Sequence, residues 1–284
     1  MRSNMRIDQI GGVIKAFPAM PGAALKLLTL ADAPDATVQQ IEDALRQDPG
    51  LTANVLKLAN SAYFGIPSKI GSVRQAVMLL GLKRLVQMVV TTCASAVIDR
   101  GVPGYDLAAG ELWRHSLAVS VAARGLAAEL KLPAADEIFT AGLLHDVGKL
   151  ILGHFVQEDY PEIERALAQG MTFEAAEAAV LGVDHAEIGA QVLAQWSLPE
   201  NIVHAVQWHH APEKFGSVDI TLDVVHVANM LCLMIGIGVG REGLLHEPSP
   251  IVTRRLGLEP NHLEKVASQT LQWVSELSQA MAVA

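Results

Sequence analysis

Residues 142–150 read GLLHDVGKL, a histidine and an aspartate side by side in an otherwise apolar, helix-like run. Leu143, Leu144, Val147 and Leu150 flank the pair, so at least one of the two hydrophilic side chains should face a packed interior. A buried, unpaired carboxylate costs several kcal/mol or takes up a proton, so Asp146 needs a partner. Two kinds of partner fit: a side chain that ties two helices together, or a metal ion.

Other residues with ligand chemistry lie at suggestive spacings. Glu111 and His115 are four residues apart and share a helical face, where both can grip one ion. His145 and Asp146, as neighbours on a helix, diverge by about 100° and can approach one metal from two sides, or let the carboxylate bridge two. His185 follows Asp184 near a helix start, and His209 and His210 end another helix. Side chains from several helices build metal sites in the core of a bundle. Mixed imidazole and carboxylate ligands favour first-row divalent ions, here Fe, Mn, Ni or Zn, one or two of them. A pair of such ions about 3.5–4 Å apart activates water and stabilises a phosphoryl oxygen. Lys149, four residues after His145, is placed to contact a phosphate as a substrate-binding residue, or simply to snorkel to solvent.

Plainer roles compete with each of these. Glu111 reads equally well as a solvated helix residue, and His209 and His210 as imidazoles favoured by a helix C-terminus. His154, His204, His226, His246 and His262 belong to no constellation and read as surface or satisfied core residues. His145 and Asp146 also suit a metal-free structural pair.

The elements that must position these side chains are helical. Alternating β-branched patterns are nearly absent, so the fold class is all-α. Thr37 and Gln40 stand in capping-box positions, and Asp48 followed by Pro49 marks a second helix start. Leu51, Val55 and Leu58 make one apolar stripe, and Val73, Ala76, Val77 and Leu80 another. The stretch DRGVPGYDLAAG at 99–110, rich in glycine and aspartate, reads as a linker between two helical lobes, 1–98 and 111–284. The second lobe ends in a helix from about Pro260 to Ala280, with Leu263, Val266, Leu271, Val274 and Leu277 on its apolar side.

Composition narrows the function classes. Hydrophobic residues make up 51% of 284, enough for a sizeable core. A formal net charge of −9 and a pI near 5.5 argue against bulk nucleic-acid binding through phosphate contacts. Cys93 and Cys232 sit in apolar surroundings without a C-x-x-C, as reduced residues of a cytoplasmic protein do. The opening MRSNMRIDQI lacks the apolar core of a secretory signal. The stretch VVHVANMLCLMIGIGVG (224–240) is short for a membrane span and carries His226 and Asn229, so a buried helix is expected and no membrane association.

The segments HDVGK, DPGLTANVLKLANSAYFG, SVRQAVMLLGLKRL, LWRHS, DHAEIGAQVLAQWSLP and WHH, spread along the chain, resemble the HDOD domain, an output domain of bacterial signalling proteins related to the HD superfamily of metal-dependent phosphohydrolases. The resemblance implies a helical N-terminal lobe, an HD-like helical bundle as the second lobe, and a regulatory or scaffolding role for most members. It also implies that His115, His145, Asp146, His185, His209 and His210 match metal ligands of the related HD-GYP phosphodiesterases, with Glu111 as an additional one. Two departures weigh against turnover. HHAPEKFG lacks the GYP element, and Asn229 stands where an HD enzyme supplies its last aspartate, with Asp223 off that helical face.

The resulting expectation is a signalling module, largely non-catalytic, with a retained metal pocket and a signalling protein or nucleotide as its partner. One alternative is a metal-dependent phosphohydrolase acting on a nucleotide or cyclic dinucleotide. Another is a metal-free protein-binding scaffold using a groove near Tyr63 and Phe64.

Overall fold

The computed structural model describes residues 2–281 except 32, 34, 133–134 and 242–246, with side chains from Arg6 onward; His246 and residues 282–284 lie outside the described residues. The first helices, α1 (Arg2–Ala16) and α2 (Gly22–Ala31), precede a run whose starts are chemically marked. Thr37 and Gln40 form a reciprocal capping box on α3 (Val38–Arg46). Asp48 accepts the Leu51 N–H at the start of α4 (Pro49–Ala59), with Pro49 at the first helical position where its missing N–H costs nothing. Ser72 caps α5 (Val73–Leu80), which leads through Gly81 into α6 (Leu82–Ile98). Leu51, Val55 and Leu58 are all buried, as are Val73, Ala76 and Leu80, so both expected stripes face the core.

The second group is built around α7 (Glu111–Glu129), which is buried on nearly all sides because other helices cover it. It packs against α8 (Ala135–Leu144); beyond lie α9 (Lys149–Glu158), α10 (Tyr160–Ala168), α11 (Phe173–Leu181), α12 (His185–Gln195) and α13 (Glu200–Trp208). Then come α14 (Ile220–Met234), α15 (Pro250–Arg255) and α16 (Pro260–Met281). No β-strand occurs among the described residues, only an isolated bridge between Val102 and Leu107. The apolar stretch at 224–240 forms the buried α14 and then turns after Met234. Among the described residues, no helix is long and apolar enough to cross a membrane.

Packing ties the two groups together in several places. Segment 99–110 is packed rather than loose: Val102, Tyr105 and Leu107 are buried against the second group. Helix α1 lies on α9, α11 and α12, where Arg6 pairs with Glu158 and Asp159, so this N-terminal element serves the second group. Helix α16 returns to α4, bringing Trp273 edge-on to Tyr63. Tyr63 also accepts from Arg124, and Phe64 is buried, so these two aromatics are joints between groups. On α16, Val266, Val274 and Leu277 face the core, but Leu271 is exposed and Thr270 takes the inward position beside it. Thr270 is the better aligned with Val266 and Val274, each four residues away. Most of the buried apolar residues form one continuous cluster across both groups.

Candidate metal centre

The His145 and Asp146 pair occupies the junction between two helices, not the middle of one: α8 ends at Leu144 and α9 begins at Lys149. Backbone bonds from Val147 to Leu144 and from Lys149 to Asp146 tighten this junction into three-residue turns. Gly148 explains the break. A Cβ there would lie 1.9 Å from the His185 carbonyl oxygen, so only glycine lets the junction press against the start of α12. His115 projects from the second turn of α7. His185 is the first residue of α12, behind the N-cap Asp184, while His209 caps the C-terminus of α13 and His210 follows it.

These elements converge on Asp146. Its Oδ2 lies 3.2 Å from His145 Nε2 and 3.5 Å from His115 Nε2. Its Oδ1 lies 3.4 Å from His185 Nε2 and 3.7 Å from His209 Nε2. His210 Nε2 is 2.9 Å from His185 Nε2. Two metal-capable groups result, His115 with His145 and Asp146, and Asp146 with His185, His209 and His210; the carboxylate is common to both. All of these residues are buried except His210, which is half-buried.

The placement of protons tests whether a cation fits. The outer ring nitrogens are already committed: His115 Nδ1 to the Ile237 carbonyl (3.0 Å), His145 Nδ1 to Gly142 (2.8 Å), and His209 Nδ1 to Val206 (2.7 Å). His185 Nδ1 lies 2.7 Å from the Glu177 carboxylate. Carbonyl and carboxylate oxygens only accept, so each Nδ1 carries the proton. In the neutral rings Nε2 is then a lone pair, and these lone pairs face the acceptor oxygens of Asp146. His145 Nε2, His209 Nε2 and both Asp146 oxygens have no hydrogen-bond partner in the structure. Such an inward set of acceptors fits a divalent metal, with the outer partners fixing ring tautomer and orientation.

Charge in the cluster centres on Asp146, Lys149 and His185. Burial pushes the Asp146 carboxyl up, but His145 and Lys149 beside it outweigh that effect and hold the group well below the usual carboxylate range. Lys149 is buried, contrary to the snorkelling reading, with Nζ 2.8 Å from Asp146 Oδ2 and 5.4 Å from the Tyr105 ring centroid. At this distance the ammonium offsets the carboxylate's charge. Burial opposes charge on His185, yet Glu177 and Asp146 raise it well above the ordinary imidazole value, so its Nε2 holds a proton that a bound metal would displace. Burial pushes His209 and His210 well below it; neighbouring histidines push the same way.

The structure leaves one expected ligand outside. Glu111 is exposed, and its carboxylate accepts the Ala108 N–H at 2.6 Å, a bond that secures the start of α7. Its four-residue spacing from His115 puts it about one turn back toward the solvent end of the helix, whereas the cluster lies farther along. His154 is exposed beside Glu158, His204 packs on Phe215, and His262 accepts the Glu259 N–H; none joins the centre.

Two supporting residues, Glu177 and Tyr105, were not singled out from the sequence, and a third, His226, was read only as a surface or satisfied core residue. Glu177, buried in α11, also accepts the His185 backbone N–H and the Tyr105 hydroxyl. Its signal is a lone acid on the inward side of an alanine-rich helix, eight residues before His185. Tyr105 was hidden in the supposed linker. His226 is a satisfied core residue that also serves the site, because its Nδ1 bonds the His209 carbonyl (2.7 Å) and so holds the end of α13. One turn further along α14, Asn229 is buried, and its Oδ1 has no partner. Gly238, at φ +79°, closes over His115, where a Cβ would stand 2.4 Å from the ring.

Comparison with known proteins places this arrangement in context. Residues 17–212 match the HDOD domain. A crystal structure of an HDOD domain protein of unknown function from Geobacter sulfurreducens is 26% identical, with a TM-score of 0.78 and coverage of 98% of both chains. A second crystal structure, from Shewanella amazonensis and provisionally described as a phosphohydrolase, is 23% identical with a TM-score of 0.73, covering 96% of this chain and 97% of its own; it shows the common fold. An uncharacterized protein of Treponema pallidum is 28% identical over 236 residues, 79% of this chain. The chain spans 42% of that relative's length.

Proposed function

This chain belongs to the HDOD domain family, and from that premise we propose that it is a bacterial signalling module, acting in the cytoplasm, whose second helix group binds one or two divalent ions. The observation that carries the reading is the inward convergence of four imidazole Nε2 atoms on both oxygens of a buried carboxylate, with every matching Nδ1 already donating outward. Beyond the Lys149 ammonium and the proton that His185 holds, these inward atoms face one another, and a divalent cation would join them. The donor set suits Fe, Mn, Ni or Zn. Its role in this reading is to lock α7, the α8 junction, α12 and α13 into one arrangement that a signalling protein partner or a nucleotide then reads.

Turnover is not part of the proposal. The neutral amide of Asn229 cannot supply a carboxylate's charge, and the sequence after His210 has no GYP element. The residues do give a phosphohydrolase reading one specific support, since Asp146 faces two ligand groups with its two oxygens. Bound there, a metal pair would supply an activated water and a Lewis acid for a phosphoryl oxygen. For that reaction, this chain's contribution would be the carboxylate that spans the groups and the Lys149 ammonium beside it.

One experiment separates the readings. Protein purified anaerobically is expected to carry at least one Fe, Mn, Ni or Zn per chain by elemental analysis, and Asp146→Ala to lose it. Under added Mn or Fe, wild type and Asp146→Ala should be equally inactive on cyclic dinucleotides and on bis(p-nitrophenyl) phosphate. Metal-dependent turnover abolished by Asp146→Ala would establish the phosphohydrolase instead, and absence of metal even after reconstitution would remove both.

A further inference from the structure

After α14 the chain runs over His115 as a short strap, residues 235–241, with the sequence IGIGVGR. Gly236 and Gly238 both take positive φ, +80° and +79°. Gly236 is exposed, Gly238, Val239 and Gly240 are half-buried, and Ile237 is the buried member. His115 beneath them is 2% exposed. Because a Cβ on Gly238 would stand 2.4 Å from the imidazole, ring and strap backbone are in contact, and Gly238 still reaches solvent. A single layer of chain therefore separates this ligand from water.

The strap is fastened at two places. The Ile237 N–H donates to the Cys232 carbonyl at 2.9 Å, and the Ile237 carbonyl accepts from His115 Nδ1 at 3.0 Å. Farther along, the Arg241 N–H donates to the Tyr105 carbonyl at 3.0 Å, and the Arg241 guanidinium stacks on Tyr160, 3.6 Å from the ring centroid. Between these points the Gly240 N–H turns back to the Gly238 carbonyl, a bond internal to the strap.

The inner fastening depends on which nitrogen of His115 carries the proton. A neutral imidazole has one N–H, and acceptors face this ring on two sides: the Ile237 carbonyl at Nδ1, and Asp146 Oδ2 at 3.5 Å from Nε2. With Nε2 on a divalent ion, Nδ1 is the only nitrogen left to hold the proton, and the bond to the strap persists. Without the ion the proton can sit on Nε2 toward Asp146, and Nδ1 then turns a lone pair on the Ile237 oxygen. Two acceptors at that distance repel. Resting on the metal-binding reading above, we propose that residues 235–241 are an occupancy-sensitive strap, closed over His115 when the centre holds its ion and released when it is empty. Linkage makes the coupling reciprocal, so the Arg241 stack that holds the strap down also retains the metal.

The test is amide hydrogen exchange on the full chain, loaded with Zn or treated with chelator, with metal content measured on the same samples. Chelation is expected to speed exchange of the Arg241 amide at least tenfold while amides within α3, in the first helix group, keep their rates. Arg241→Ala and Tyr160→Leu, which remove the two halves of the outer stack, should each release Zn into excess chelator about fivefold faster than wild type. Equal protection of the Arg241 amide in both states, in protein shown to carry Zn, would overturn this inference and leave the metal reading standing. Wild-type release rates in both variants would overturn it in the same way. Protein that takes up no metal would remove the metal reading and this inference together.

Discussion

Replacing Glu177 by Gln keeps the shape of the side chain that receives the His185 Nδ1–H but removes its charge. The amide oxygen can still accept from His185, and the amide nitrogen can donate to the Tyr105 hydroxyl, so the fold should persist. What changes is the electron density at His185 Nε2, because a carboxylate behind an imidazole makes it a better ligand. Metal affinity, measured by competition with a chelator, should fall about 10- to 100-fold with the melting temperature of the chelated protein little altered. Unchanged affinity would mean that Glu177 serves folding alone. At this scale the sequence was uneven in what it disclosed. His115, His145, Asp146, His185, His209 and His210 were legible because imidazole and carboxylate in apolar runs demand partners. Glu177 and Tyr105 were not, because their importance arises from a contact across 72 residues that no local pattern encodes. Glu111 misled for the converse reason: a ligand-like spacing also serves a helix start.

Helix existence was legible where it has local chemistry, in the capping box at Thr37, the cap at Asp48 and the apolar stripes of α4 and α5. Where helices stop was less so. HDVGK continues the apolar rhythm of α8, and what interrupts the α-helix is the approach of α12 to Gly148, a tertiary fact. That junction carries a direct prediction. In Gly148→Ala the added methyl meets the His185 carbonyl, a backbone atom that cannot swing aside, so the junction and α12 must move apart. The expected cost in denaturant unfolding is about 3 kcal/mol or more, with metal binding weakened in parallel because His185 shifts away from Asp146. A stable variant with intact metal affinity would show that the two helices are not held at this spacing.

Across the whole molecule, α1 and α16 each reach over to the helix group at the other end of the sequence, and one apolar cluster runs through both groups. Composition at 99–110 does not disclose this packing, since glycines that signal a loop also permit the close approach seen at Gly104 beside Tyr105. A shared core makes global stability sensitive to a single buried charge, and Asp223 supplies one away from the metal ligands. Burial pushes its carboxyl up to about 6; Arg255, 3.3 Å away, opposes the shift, and Asp219 and Glu213 add to it. A folded-state value above the ordinary 3.8 means that the folded protein holds this proton more tightly than the unfolded chain. The group's stabilising contribution is therefore full below about pH 4 and is lost as pH rises through about 6. Asp223→Asn cannot lose a proton, and Arg255 is partly exposed, so it can turn to solvent once its partner is neutral. In thermal melts with chelator, this variant should exceed wild type by about 2–4 °C at pH 8, and the two should converge toward pH 4. A constant difference across that range would show that the Asp223 charge is fully compensated in the fold.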